Sequence, residues 1–439
     1  MLRKRIQLGL IHAAVAITLV PINSTLNRIL IEDIGILALV VTLLFSPPYL
    51  FSFIQVGIGS FSDKYPIWGF RRTPYIAAGL AFCVAGLMLA TKVALIIPEN
   101  LWLGIGLGIL TFGAWGMGFN LATVSYFSLA SELSGEEGRS KTTSIMFFIM
   151  ILFIIGTATG ISKYLETYTP ERLQNAFAMV ALIALIMGVI GLFKLETRHA
   201  QPALAEKRYS LREVYNEISA NPQVRRFFIY LVLMLAAVLG QDVLLEPFAA
   251  RAFGIPVGET TFITSIWGTA YLVSLLLTGL IGGKVSKIVI ARLASWLAIA
   301  AFGIIAISGF VGGLSFFYFG LVVLGIATGP ATVSNLSIML DMTVPGKIGM
   351  FIGAWGSASA FARLLGSVTT AAVRDAVDAM PFSAGTIGYA LGFLLLAVFL
   401  LISLAILKKI DVNAFIQNAF IENSSTSSIL EHASLSGDM

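Results

Sequence analysis

Gly59-Ser60-Phe61-Ser62-Asp63-Lys64-Tyr65-Pro66-Ile67-Trp68-Gly69-Phe70-Arg71-Arg72-Thr73-Pro74 decides the fold. It is a short polar hinge between two apolar blocks, 36–61 and 73–93, each near the ~20 residues that cross ~30 Å of hydrocarbon as a helix. Gly59 lets neighbouring helices approach closely. Asp63 can accept bonds from a facing helix N-terminus or an arginine. Arg71 and Arg72 fix the loop among lipid headgroups.

The same pattern extends along the chain. Its 439 residues are 57% hydrophobic and 12% charged, with a mean hydropathy of +0.91. A soluble domain, about a quarter charged on average, cannot hide that much apolar surface. Twelve spans are expected, at 6–29, 36–61, 73–93, 101–130, 141–162, 174–193, 225–250, 260–283, 288–311, 315–341, 347–371 and 384–407. Backbone amides in lipid must be bonded within the segment, which makes them helices. The ten-residue alternation of a membrane β-barrel is missing. No small-residue cleavage site follows the first apolar run, so this run is read as a span and not a leader. Cys83, the single cysteine, sits in an apolar run and reads as a small buried hydrophobe.

Orientation follows from the basic residues. With the N-terminus cytoplasmic, 21 of the 28 Lys and Arg fall in inner segments, six fall in outer ones and Arg363 lies within a span. The net charge of +5 therefore reports topology; no aromatic–basic interleaving points to nucleic acid. The chain divides into a six-helix bundle at 1–193, a cytoplasmic linker at 194–224 with a short helix near 211–220, a second bundle at 225–410, and a cytoplasmic, poorly ordered Asn/Ser/Thr-rich tail at 411–439. Ser210-Leu211-Arg212-Glu213 has the capping-box spacing that starts the short helix.

The bundles repeat. Ala122-Thr123-Val124-Ser125 recurs as Ala331-Thr332-Val333-Ser334, and seven residues after each serine comes an acid, Glu132 or Asp341. Tyr49-Leu50-Phe51-Ser52 with Gly57 matches Tyr271-Leu272-Val273-Ser274 with Gly279. An even number of spans per half gives both halves the same orientation. The expected fold is an all-α membrane protein with two parallel-repeat six-helix bundles and a mid-depth cavity between them.

The hinge at 59–74 resembles the signature loop of the major facilitators. Gly282-Gly283-Lys284-Val285-Ser286-Lys287, its equivalent in the second half, lacks the acid, so a latch built on this loop would be one-sided; Gly59, Asp63, Arg71, Arg72, Glu132, Arg139 and Asp341 are the gating or cytoplasmic-loop candidates. Pro21-Ile22-Asn23-Ser24-Thr25-Leu26-Asn27-Arg28, Gly57-Ile58-Gly59-Ser60-Phe61-Ser62-Asp63, Ile67-Trp68-Gly69-Phe70-Arg71-Arg72-Thr73-Pro74-Tyr75 and Gly240-Gln241-Asp242-Val243-Leu244-Leu245-Glu246-Pro247 look like the PucC, or bacteriochlorophyll delivery, family of phototrophs. The resemblance runs from about residue 5 to 408. It implies a factor for assembling light-harvesting or photosystem complexes that handles or delivers chlorophyll or bacteriochlorophyll. Implied partners are antenna or photosystem polypeptides and pigment-synthesis enzymes, in a plasma or thylakoid membrane. Phe248-Ala249-Ala250-Arg251 departs from the glycine pair expected after Pro247.

Ionisable groups inside a membrane are costly and point to function. Asp242 and Glu246 are four apart on one helix face, next to Gln241 and before Pro247. They could hold a proton, a cation, or a pigment magnesium through water. Arg363, deep in the eleventh span, is expected to pair with Asp242 or Glu246, because an unpaired buried guanidinium is very expensive. His12, Asn23 and Asn27 fall on one stripe of the first span, where the imidazole could ligate a chlorin magnesium. Asn120 and Asn335 are further cavity candidates.

Enzyme chemistry has no inventory: there is no Ser-His-acid set and no His/Cys metal cluster. Gly104-Ile105-Gly106-Leu107-Gly108 lies inside an apolar span, where glycines mediate packing. A pigment-handling assembly factor and a proton-coupled transporter of a small lipophilic molecule both fit these residues.

Overall fold

A computed structural model describes residues 1–198, 211–281, 285–341, 348–381 and 385–411. The side chains of Asp63 and Arg139, the surroundings of Gly59, and Ser210 lie outside the described residues, as does the tail from 412 onward. Within them the chain is helical, with one isolated β-bridge, Ile67 to Phe70, closing the hinge loop.

Among the described residues, twelve helical segments cross the molecule. Ten are long and apolar enough to span a membrane, and they include α1 Leu2–Asp33, α3 Thr73–Ile96, α4 Leu101–Gly135, α5 Lys141–Tyr164 and α6 Pro170–Leu192. In the second half, α7 runs over 222–253, α8 is Val257–Ile281, α9 is Lys287–Val311, α10 is Leu314–Asp341, α11 is Ile348–Asp378 and α12 is Ile387–Leu407. Two of the twelve differ from plain apolar spans. Segment α2, over 38–64, was expected as a continuous helix at 36–61 and is instead broken into Ala38–Phe45, Pro47–Leu50, Phe51–Ile54 and Gln55–Lys64. Pro47 and Pro48 lack the N–H donors that would continue the ladder. Helix α11 is long enough to span but carries Arg363, Arg374, Asp375 and Asp378.

The helix starts are set locally. Asn100, Thr169 and Asn221 each accept a backbone N–H from the first turn of α4, α6 and α7, and Pro170 and Pro222 fill first positions whose N–H has no intrahelical partner. Between α4 and α5 the expected loop shrinks to one turn. Gly135 (φ 64°, ψ 177°) bends an otherwise continuous helix there, in backbone space that a side chain rarely enters. A short connector helix occupies Leu211–Ala220.

The packing is repeated. Helix α1 lies on α5 and α6, α2 on α4, and α3 on α4 and α6; likewise α7 lies on α11 and α12, α8 on α10, and α9 on α10 and α12. These are the parallel repeats expected of a major facilitator fold. Lipid tails are as apolar as Leu, so close backbone approach drives the pairing. A Cβ on Gly240 would fall 2.7 Å from the backbone of Gly366, which is how α7 and α11 come together. The sequence repeat has a structural counterpart. Glu132, ending α4, accepts Arg72 Nε at 3.0 Å and Nη2 at 2.9 Å. Asp341, ending α10, accepts Lys287 Nζ at 2.7 and 2.6 Å. Each half thus ties the end of its fourth helix to the start of its third, although the second loop lacks the acid.

Candidate functional site

Three helices lose α geometry where the halves meet. Helix α1 widens into π turns over Pro21–Leu26 and Ile29–Asp33, α2 breaks at Pro47–Pro48, and α7 tightens into a 3₁₀ turn over Gln241–Val243. Pro21 removes one donor, which favours a wider turn; such bulges and half-helices gather at sites. The breaks surround a cavity of about 40 Å³ lined by Asn23 and Asn27 of α1, Thr42, Phe45, Ser46 and Tyr49 of α2, Asp242 and Val243 of α7, and Arg363, Leu364 and Ser367 of α11.

Arg363 and Asp242 form the charged wall of this cavity. Arg363 Nη1 lies 2.5 Å from Asp242 Oδ2, and its guanidinium sits 4.9 Å from the centre of the Tyr49 ring, so the pair is backed by a cation–π contact from the other half. The side chains retain 21% and 32% exposure, so the pair is open to what enters the cavity. Asn27 Nδ2 donates to the Val243 carbonyl at 3.2 Å, satisfying backbone in the α7 turn. Gln241 reaches Asp242 at 3.4 Å. Glu246, one turn on, is buried and accepts Thr264 Oγ1 of α8 at 2.9 Å; it belongs to the wall behind the cavity.

Other expected candidates lie elsewhere. His12 does not share a site with Asn23 and Asn27: the turn at 17–18 and the π turns shift the register, and the 3.6-residue stripe does not survive them. The imidazole is buried among Tyr126, Phe127 and Phe147, ring centres 5.0–5.4 Å away, with Nδ1 unpartnered. Asn120 is not in the cavity lining either. Its amide donates to the carbonyls of Pro48 at 3.0 Å and Gly116 at 2.8 Å, and its oxygen accepts from Gln55. It serves the carbonyl that the α2 break sets free. Asn335 accepts Tyr230 Oη at 2.7 Å and donates to the Ala331 carbonyl at 2.7 Å, a bond internal to the second half. Arg71 and Arg72 are anchored by Glu132, while Glu196, after α6, accepts the backbone amides of Arg71, Arg72 and Thr73 at 2.7–3.2 Å. The side chain of Asp63 lies outside the described residues.

The sequence reading missed a charged cluster at the end away from the termini. Glu32 of α1 accepts Arg251 of α7 at 2.8 Å, Arg374 of α11 at 3.3 Å, and the hydroxyl of Tyr389 of α12. Arg374 also meets Asp375 at 2.8 Å and Asp378 at 3.2 Å, and Arg251 meets Asp378. Asp375 in turn accepts the amides of Ala38 and Leu39 at 3.0 and 2.8 Å, capping α2 from the opposite half. Thr25–Thr261 and Thr159–Ser265 add hydroxyl bonds across the boundary at 3.0 and 2.9 Å. The signal in sequence was weak: charges at the edges of apolar blocks, which read as ordinary span ends.

Residues 25–415 match the model of the PUCC protein family, nearly the whole chain. This chain belongs to the PucC family. It is 26% identical over 436 residues to "Protein PucC" of Rhodobacter capsulatus, covering 93% of each chain. It is also 26% identical over 385 residues to the "Bacteriochlorophyll synthase 44.5 kDa chain" of Rhodobacter capsulatus, covering 84% of this chain and 86% of that one. Among solved structures, the nucleoside transporter NupG superposes with a TM-score of 0.71 at 14% identity, covering 93% of this chain and 98% of that one. A bacterial homologue of the lysosomal transporter Spinster, solved inward-facing and unoccupied, gives 0.68 at 14% identity, with 95% and 97% covered. These likenesses show the fold: this PucC family member is a multi-pass membrane protein with the architecture of a transporter.

Proposed function

We propose that this protein is a membrane factor that assembles light-harvesting or photosystem complexes by handling chlorophyll or bacteriochlorophyll. Family membership over 25–415 carries this reading, supported by relatives whose names refer to PucC and to bacteriochlorophyll. In this reading the protein carries out no enzymatic chemistry of its own, which its PucC family membership and its transporter-like fold support. It sits in the plasma or thylakoid membrane of a phototroph with both termini cytoplasmic, docking on nascent antenna or photosystem polypeptides and on pigment-synthesis enzymes.

The geometry restricts how pigment could be engaged. A cavity of about 40 Å³ holds waters or one small group, against the ~300–1,000 Å³ of ordinary ligand pockets. A tetrapyrrole requires the halves to part, or binds on the outer surface of the bundle. His12, enclosed by three aromatic rings, would have to be uncovered before it could reach a pigment magnesium.

Gentle purification followed by an absorption spectrum tests the proposal. Bound chlorin with co-purifying antenna or photosystem subunits is the expected result. Colourless protein from pigmented membranes, with no such subunits, overturns it.

A second reading is favoured by the Arg363–Asp242 pair at the helix breaks: a proton-coupled transporter of a small lipophilic molecule, with Asp242 or Glu246 taking the proton. Uptake driven by a pH gradient into vesicles, abolished by Asp242→Asn, is its signature.

A further inference from the structure

A second groove lies apart from the inter-half cavity. It runs between the start of α1 and the end of α6, has a volume of about 620 Å³, and is lined by Leu2, Ile6, Leu10, Val189, Ile190 and Phe193 with Arg3 and Gln7. Leu2, Ile6, Val189, Ile190 and Phe193 are exposed, so the groove opens towards lipid. Leu2, Ile6 and Leu10 are spaced by four residues and form one ridge of α1.

Its floor and mouth are built. Gln7 Nε2 donates to the carbonyls of Phe193 at 2.9 Å and Ile190 at 3.4 Å, satisfying groups that the end of α6 leaves without intrahelical partners. Gly191 sits so close to α1 that a Cβ there would fall 2.6 Å from the Ile11 side chain. Arg3 lines the groove, and the exposed Lys194 follows the lining residue Phe193 in the chain. Lys194 holds a left-handed backbone (φ 52°) that sets its ammonium 5.4 Å from the Phe193 ring. Such strain in a non-glycine residue persists only where the surroundings over-determine it. Glu196, the nearest acid in sequence, is committed to the amides of residues 71–73, so its charge is already satisfied.

We infer that this groove binds one acyl chain of an anionic glycerophospholipid, with the headgroup phosphate held between Arg3 and Lys194. Two cations at the rim of an apolar slot at the level of the helix ends match a chain below and a negative headgroup above.

The test uses the full-length protein in mild detergent, equilibrated with equimolar phosphatidylglycerol and phosphatidylcholine and read by native mass spectrometry. Phosphatidylglycerol is retained preferentially. Arg3→Ala and Lys194→Gly each lower its retention about fivefold, the effect of one basic residue at a membrane surface. Lys194→Gly keeps the backbone turn while removing the charge. Ile6→Trp fills the slot without altering charge and abolishes retention, and circular dichroism confirms that each variant is folded. Equal retention of both lipids overturns the inference, as does phosphatidylglycerol surviving Ile6→Trp. Displacement of the lipid by soluble glycerol 3-phosphate, or a co-purified single-span polypeptide in its place, also overturns it.

Discussion

The two ends of the bundle are held by different kinds of contact. At the end away from the termini, the described ties cross between halves: Glu32 with Arg251, Arg374 and Tyr389, and Asp375 with the amides of Ala38 and Leu39. At the end carrying the termini, they stay within a half: Arg72 with Glu132 and Ser62, Glu196 with the start of α3, and Lys287 with Asp341. The first kind fixes the halves against each other. The second stiffens each half as a unit. A molecule tied this way is expected to pivot about its crossed end and part at the other, with the Arg363–Asp242 pair and Tyr49 between them. A pivot of that kind would enlarge the small cavity.

The largest effect is expected at the pair itself. Arg363→Ala leaves Asp242 facing a low-dielectric cavity without its cation, a loss of about 3 kcal/mol in thermal or denaturant unfolding. Arg363→Met with Asp242→Leu restores most of that stability while leaving assembly or transport activity absent. If the double variant is fully active, the pair is structural and the site reading fails.

Next comes the crossed end. Glu32→Gln weakens two guanidinium contacts of a side chain that is 10% exposed and costs about 2 kcal/mol. It should also raise the reactivity of a cysteine placed at Leu39 toward a membrane-impermeant thiol reagent, because the two halves separate there. Unchanged labelling would mean that the cluster does not hold the halves together.

The termini end should respond less, and locally. Glu132→Gln removes a partner of Arg71 and Arg72 and costs about 1 kcal/mol, with hydrogen exchange rising in 62–73 and not across the boundary. Lys287→Ala comes last. Its ion pair with Asp341 is 40% and 34% exposed, and pairs of that exposure contribute about 0–1 kcal/mol. A loss at Lys287 as large as that at Glu32 would erase the distinction between the ends.

Much of this architecture was legible in the sequence, because lipid imposes one strong rule. Blocks of about 20 apolar residues must be helices, and Ala122–Ser125 against Ala331–Ser334 set the halves in register. The repeat extended to charge pairing: the acids seven residues past each serine both hold a base at the start of the third helix of their half. Arg363 meeting Asp242 followed from energetics, since a guanidinium inside a span needs an anion. Helix periodicity failed where helices stop being α-helical. Placing His12 with Asn23 assumed 3.6 residues per turn through Pro21, and the π turns defeat that. Asn120 looked like a cavity residue because its duty, the carbonyl of Pro48, lies 72 positions away. The Glu32 cluster joins residues 219 to 357 positions apart, with no spacing rule to connect them.

Spin labels at two cysteine pairs would measure the pivot directly: Lys64 with Val285 at the termini end, and Glu99 with Val311 at the other, each pair bridging the halves. Cys83 is buried and free, so it does not label. Double electron–electron resonance in lipid nanodiscs should give a single narrow distance for Glu99–Val311 and a broad or two-peaked distribution for Lys64–Val285, the latter changing when pigment is added. A narrow termini-end distance with a broad distribution at Glu99–Val311 would contradict the account.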